Sequence, residues 1–450
     1  MTGYSAATSD LLGSMGNTYL NNRGITTSVN ITMTGGTVNG SIYGGGYGYS
    51  NVLAFDRIAV DGGCLYGNSN IYISGGTING NVFGAGRGTD LYGNTRTTLA
   101  QMYGNTSIII EGNPVISGSV FGAGEGVNTA GYQLTAQLTG NTEINMLSGS
   151  ISNNVYGGGY VGRTTGSTII NIEGGNISGT IYGGGNAGVV VGNSKINIDG
   201  GTVLDVYGGG QQAGVSNSSI DLSGGAVRDI YGGSNISGDL TSSTIKTSSG
   251  SARHIYGGNN AGGITTTTSV TINGATISGD VHGGGRLTNT VSATVVINDG
   301  IVNAAYGGGF SANVDSSSII NAGGDVGSIF GGSNTAGTVD NTSVRTTGGT
   351  TGNVFGGNNM GGQTNTTSVT IDGGTITGNI FGGGHAAPTG DTFVVINTGD
   401  IANAFAGGDL AKVASTYIVV NNGSVGNVYG GGNKADADFT DVKINAGTIR

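Results

Sequence analysis

TSVTIDGGTITGNIFGGGHAAPTGD, residues 367–391, is one unit of a pattern that fills most of the 450-residue chain. Val369 and Ile371 alternate with Ser368, Thr370 and Asp372, the period-two pattern of a strand with one buried face. Gly373 and Gly374 turn a corner. Ile376 and Ile380 share parity on a second strand, Phe381 closes it, and Gly382, Gly383 and Gly384 turn again. The polar segment HAAPTGD then leads into the next strand. SKINIDGGTVLDVYGGG and SVTINGATISGDVHGGG follow the same plan.

The step from an apolar residue to an aromatic ring to a glycine cluster marks each unit. Its ring positions are Tyr43, Phe83, Phe121, Tyr156, Tyr182, Tyr207, Tyr231, Tyr256, His282, Tyr306, Phe330, Phe355, Phe381, Phe405 and Tyr429. From Tyr156 onward they lie 24, 25 or 26 residues apart. A fixed period of that length belongs to a solenoid, in which one coil cannot bury its apolar face alone. Three short strands with three corners fit one period. The expected fold is therefore all-β: a single right-handed parallel β-helix (β-solenoid) of about 15 coils. In-register stacking would bring the rings into one ladder. Residues 1–27, which match no coil, are expected to be an amino-terminal cap or linker. Residues 28–450 would form the helix, with lateral insertions in 28–155 and regular coils in 156–450.

Composition narrows the classes further. Glycine numbers 97, yet it does not recur at every third position and there are only two prolines, which excludes collagen. Charged residues make up 9% while periodic Val and Ile supply a core, unlike a disordered chain. A formal charge of −10 without a basic stripe argues against nucleic acid as a partner. No apolar run is long enough to insert in a membrane as a helix. One cysteine, Cys64, rules out an intrachain disulfide framework. Glu173, Asp199 and Asp372 precede Gly-Gly corners, where short acids are expected to bond backbone N–H groups two residues on. No cofactor, metal or catalytic residue is indicated.

The first three intervals are longer, at 40, 38 and 35 residues. The surplus follows the glycine corner, and each next strand restarts with a G-N-[ST] step: GNSNIYI, GNTSIII, GNTEINM. Three insertions thus leave the same corner of consecutive coils. They carry the candidate binding residues Tyr47, Asp56, Arg57, Tyr66, Arg87, Asp90, Tyr92, Arg96, Tyr103 and Tyr132. Loops on a rigid scaffold commonly hold recognition sites. The competing reading is that the insertions only pair with one another as a small extra sheet.

GGTVNGSIYGGG (35–46), GGTINGNVFGAG (75–86) and GGNISGTIYGGG (174–185) resemble the glycine-rich repeats of adhesin-like bacterial surface and secreted proteins with a pectin-lyase-like parallel β-helix. The resemblance implies an extracellular or cell-surface location and a role in attachment or spacing. The expected function is a non-enzymatic structural or adhesive β-solenoid, a rigid stalk with a glycan- or surface-binding patch on the insertions. Carbohydrate or a cell-surface receptor would be the partner, and end-to-end or lateral self-association is a further expectation. A virion-surface setting would suit the same scaffold. One alternative is a polysaccharide-degrading, phage tailspike-like enzyme, which would need two carboxylates about 5–9 Å apart. Another is an ice-binding surface or filament subunit. TTTTS (265–269) and TNTTS (364–368) suggest a threonine column, but VSATV, SNSSI and GNSKI make it look irregular.

Overall fold

The structure is a computed structural model that describes residues 28–49, 63–90, 100–127 and 135–450. Among the described residues regular structure is all strand, paired in parallel and stacked turn on turn as a β-solenoid. The expected amino-terminal cap, residues 1–27, lies outside them. Contacts divide the chain into two compact units, Met1–Ile220 with Ser234–Asp239 and Asp221–Gly233 with Leu240–Arg450.

One turn of the first unit shows how sequence becomes structure. The strand Thr168–Ile172 buries Thr168, Ile170 and Ile172 and turns Ile169 outward. It lies in register on Ser194–Ile198, with Ile170 on Ile196 and Ile172 on Ile198. After the corner, Asn176–Tyr182 lies on Thr202–Tyr207. A third contact line is thinner: Thr164 bridges Val190. The second unit repeats the plan, and Gln363–Phe381 buries Val369, Ile371, Ile376 and Ile380 as the alternation requires.

Alternation fails at one place, and there the chain gains a second apolar column. Ile181 and Tyr182 are both buried although they are neighbours on a strand, as are Ile380 and Phe381. The aliphatic residue points into the turn and the ring points to the opposite face. In the second unit the rings at 306, 330, 355, 381 and 405 form a cluster of their own with Ala304. The segment that follows the glycine corner covers them. Tyr160, Phe310 and His385 present their edges to Phe121, His282 and Phe355 at 5.9, 5.7 and 5.6 Å.

Two glycine positions serve different needs. The residue that turns the corner between strands has positive φ, as at Gly374 (87°). The glycine after the ring lacks room instead: a Cβ on Gly356 would overlap the carbonyl oxygen of Gly382 one turn on. That carbonyl oxygen in turn receives a buried hydroxyl. Thr268, Ser317, Thr342 and Thr367 donate from Oγ to the carbonyl oxygens of Gly283, Gly331, Gly356 and Gly382, each at 2.6 Å. Thr142 and Thr168 do the same to Gly157 and Gly183 in the first unit, at 2.7 and 2.6 Å. The hydroxyl fastens the first strand to the ring corner of its own turn.

The polar residues at the Gly-Gly corner bond differently from expectation. Asp372 does not fold back on its own backbone; it accepts from Arg345 Nε (2.6 Å) and Asn397 Nδ2 (2.7 Å) on neighbouring turns. Asn421 donates to Asn397 at 2.8 Å and Asn445 to Asn421 at 2.7 Å. Asn145, Asn171 and Asn197 form a similar row in the first unit, at 2.6 Å per step. In-register parallel stacking places the nearest polar partner one turn away, so amides bond along the stack. Asp299 is the exception, accepting from Gly300 N at 2.7 Å.

Candidate functional site

In a regular turn the corner after the glycine cluster is closed by two residues. Gly185 meets Gly188 across Asn186 and Ala187, and Gly408 meets Ala411 across Asp409 and Leu410. The same closure holds at the insertions. Gly46 meets Gly63, Gly86 meets Ala100, and Gly124 meets Ala136. Residues 47–62, 87–99 and 125–135 therefore stand where two residues suffice elsewhere. Each insertion re-enters through a left-handed residue: Gly63 (φ 74°), Ala100 (53°) and Ala136 (50°). The two alanines are the only non-glycine residues with positive φ among the described residues. A Cβ disfavours that conformation by about 1–2 kcal/mol.

The ends of the insertions pair with one another. Tyr47–Tyr49 lies parallel to Arg87–Asp90, and Arg87 bridges Glu125. On the return side Leu65 bridges Met102, and Met102–Tyr103 pairs with Leu138–Thr139. The small extra sheet that packing alone would produce is therefore present at the base of the loops. On the exit side, the Arg87 guanidinium lies 5.5 Å from the Tyr47 ring centre and 3.5 Å from Glu125. Tyr43 donates its hydroxyl to Glu125 Oε2 at 2.5 Å. Burial, reinforced by that bond, pushes the Tyr43 phenol up to about 12. Arg87 is thus compensated within the protein.

The return side is more open. Tyr66 and Tyr103 stack with ring centres 4.9 Å apart, and Tyr103 is 42% exposed. Each precedes a G-N-[ST] step, whose three positions have distinct duties. A Cβ on Gly104 would overlap the Gly67 carbonyl oxygen. Asn68, Asn105 and Asn141 accept from the backbone N–H of Asn105, Asn141 and Ser167 through Oδ1, each at 2.8 Å. Thr106 and Thr142 turn inward to the glycine corner. The Nδ2 groups of these three asparagines face outward without a protein partner among the described residues. Beside them lies a shallow groove of about 310 Å³, lined by Asn68, Asn70, Asn105, Ser107, Asn141, Glu143 and Ile169 over Thr106 and Thr142.

The corresponding face of the second unit is flat and hydroxylated. Thr244, Ser269, Thr294, Ser318, Ser343 and Ser368 fall in one outward column, with Thr267, Ser292, Ser316, Asn341 and Thr366 beside them. The column that looked irregular is continuous here over six turns. Other residues hold the aligned positions elsewhere: Glu143, Ile169 and Lys195 in the first unit, and Phe393 and Tyr417 after Ser368 in the second.

Of the candidate binding residues, Tyr47 and Arg87 meet on the exit side and Tyr66 and Tyr103 on the return side. Asp56, Arg57, Tyr92, Arg96 and Tyr132 lie outside the described residues, and Asp90 is described only by its backbone. The ladder residues come together as rings. In the first unit they run from Tyr43 through Phe83, Phe121, Tyr156 and Tyr182 to Tyr207, with centres 4.6–5.2 Å apart. In the second, Tyr231, Tyr256, His282, Tyr306, Phe330, Phe355, Phe381, Phe405 and Tyr429 are spaced 4.5–5.0 Å. Tyr156 and Tyr306 extend hydroxyls to Gln211 (2.6 Å) and Asn359 (3.3 Å), so their polar ends are satisfied by the covering segment. Sequence reasoning passed over Asn68, Asn105 and Asn141, although the G-N-[ST] step was the signal. Among the described residues no three His, Cys, Asp or Glu side chains group to hold a metal. No family model, no curated protein and no solved structure matches this chain.

Proposed function

We propose that the chain is a non-enzymatic adhesive β-solenoid, a right-handed stalk of about fifteen coils that displays a glycan-binding patch at its inserted turns. The observation that carries this reading is the exposed Tyr66–Tyr103 stack held beside outward-facing asparagine amides. Flat rings and amides are the groups that recognise sugars, through stacking on the apolar ring face and paired bonds to hydroxyls. An extracellular or cell-surface location fits the reading. The test is a glycan array with the intact chain beside a Tyr66→Ala, Tyr103→Ala double variant, which removes the stack and keeps the insertions. Glycan binding by the intact chain that is lost in the double variant supports the proposal. An intact chain that binds no glycan defeats it.

A second reading rests on the hydroxyl columns of the second unit. Rows repeat about every 4.8 Å along the stack and about every 6.6 Å along the strand. That rectangular array of outward-facing hydroxyls suits a crystalline face such as ice. Slowed ice recrystallisation, abolished by Thr294→Lys, would favour it; unaltered crystal growth would remove it.

A further inference from the structure

The hydroxylated face of the second unit runs into aromatic rings. In the column that passes through Ser343 and Ser368, the next two turns place Phe393 and Tyr417. Alternation turns both outward, since their strand neighbours Thr392, Val394, Thr416 and Ile418 are buried. Phe393 is 45% exposed. The two ring centres lie 6.2 Å apart with planes inclined by 55°, so neither ring lies flat on the other as ladder rings do. Val395 and Val419 pair in register two positions along the same strands. Phe439, 63% exposed, stands one turn beyond Ser415, in the column beside the rings. An apolar patch set among polar residues on an outward face marks a contact surface.

Size and setting narrow the occupant. Three turns of this face span roughly 200 Å², about a quarter of what each partner in a stable protein complex buries. Asp391, Asp441 and Lys443 rim the patch, nearly balanced in charge, which favours an uncharged partner. On one side the patch continues directly into hydroxyl and amide columns, Ser368 and Thr366, then Ser343 and Asn341. Rings and hydroxyls in the same flat rows suit a surface that is itself flat, uncharged, and both apolar and hydroxylated.

We propose that this face binds the ordered surface of an insoluble neutral polysaccharide. The rings seat on the C–H faces of pyranose units, and the serine and threonine columns bond to the sugar hydroxyls. A flat sheet grips a single soluble chain from one side only, whereas an ordered glycan surface offers repeating rows to repeating columns. The site lies in the other unit from the Tyr66–Tyr103 stack and does not depend on it. A lattice of ice has no use for the rings, so the two readings of this face part at Phe393.

Pull-down of the full chain on microcrystalline cellulose and on chitin powder tests it, with polystyrene beads as a surface that lacks hydroxyls. Phe393→Ser with Tyr417→Ser continues the column of Ser368, a side chain that the preceding turns already carry. Ser368→Lys, which sets a charge beside intact rings, gives the same reading where the serine pair fails to fold. Phe393→Tyr with Tyr417→Phe keeps both rings. Retention on either glycan that weakens about tenfold in the serine pair, and persists in the ring-keeping pair and in the Tyr66→Ala, Tyr103→Ala variant, supports the proposal. No retention on either glycan overturns it, as does retention that the serine pair keeps, or equal retention on polystyrene. Retention lost only in the Tyr66→Ala, Tyr103→Ala variant overturns it too, and leaves the adhesive reading standing. Sedimentation supplies the last outcome: an oligomer formed by the wild type and not by the serine pair would give the patch to a second copy of the chain and overturn the proposal.

Discussion

At the scale of single residues, the molecule is governed by what each position must satisfy in the next turn. His282 stands in the ring ladder between Tyr256 and Tyr306, at 4.9 and 4.8 Å, and is fully buried with both ring nitrogens unbonded. Burial pushes its pKa down to about 3, from an ordinary value of 6.5. A proton therefore favours the unfolded chain. The contribution of His282 is fully present above pH 6.5 and falls by about 1.4 kcal/mol per pH unit below it until the folded pKa is reached. Urea midpoints at pH 7.5 and 4.5 should differ in the wild type, and the difference should shrink in His282→Phe. An equal acid loss in both proteins would show that His282 stays accessible to protons. The buried hydroxyls give a second expectation. Thr342→Val leaves the Gly356 carbonyl oxygen unpaired and should cost about 1–3 kcal/mol, whereas Ala293→Ser restores the missing hydroxyl in that column and should stabilise by about 0.5–1.5 kcal/mol. Equilibrium denaturation of both variants checks the pair. This column was half legible: Thr268 shares parity with Val270 and Ile272, yet a run of threonines reads as a solvent face when parity is ignored.

At the scale of elements, strands and corners were readable because each obeys one simple period, and the ring column was readable from its spacing. What could not be read was contact across turns. The Asp372 side chain looks like a local turn former until its neighbours in register, Arg345 and Asn397, are known. The insertions were visible as surplus length, but their closure through left-handed Ala100 and Ala136 was not, since alanine gives no sign of positive φ. Ala100→Gly and Ala136→Gly should each stabilise the base of a loop by about 0.5–1 kcal/mol, because relief of the Cβ clash exceeds the entropy that glycine loses. A lower midpoint in both variants would mean that these corners carry no strain. Within the ladder, Phe355→Ala removes a ring stacked on Phe330 and Phe381 at 4.6 and 4.8 Å. It should cost about 3–5 kcal/mol, and calorimetry of the variant measures the loss.

At the scale of the whole molecule, similar turns contact mainly their neighbours, so the chain should tolerate changes of length by whole periods. Deleting 331–355 joins Phe330 to Gly356, removes one turn of the second unit and keeps every column in register. The shortened protein should retain its strand content per residue in circular dichroism. Deleting 331–342 instead shifts the hydroxyl, lumen and ring columns against one another and should abolish soluble expression. Equal behaviour of the two deletions would contradict a register-governed fold. The asparagine rungs add a further property to such a stack. Asn171, Asn197, Asn298, Asn397, Asn421 and Asn445 each donate to the residue one turn earlier, never the reverse. Where a carboxylate enters a rung, as at Asp340, Asp372 and Asp409, it occupies the earlier turn and the amide the later one. The rows are therefore arrows: their side-chain dipoles add along one direction, and an acid can serve only as the tail.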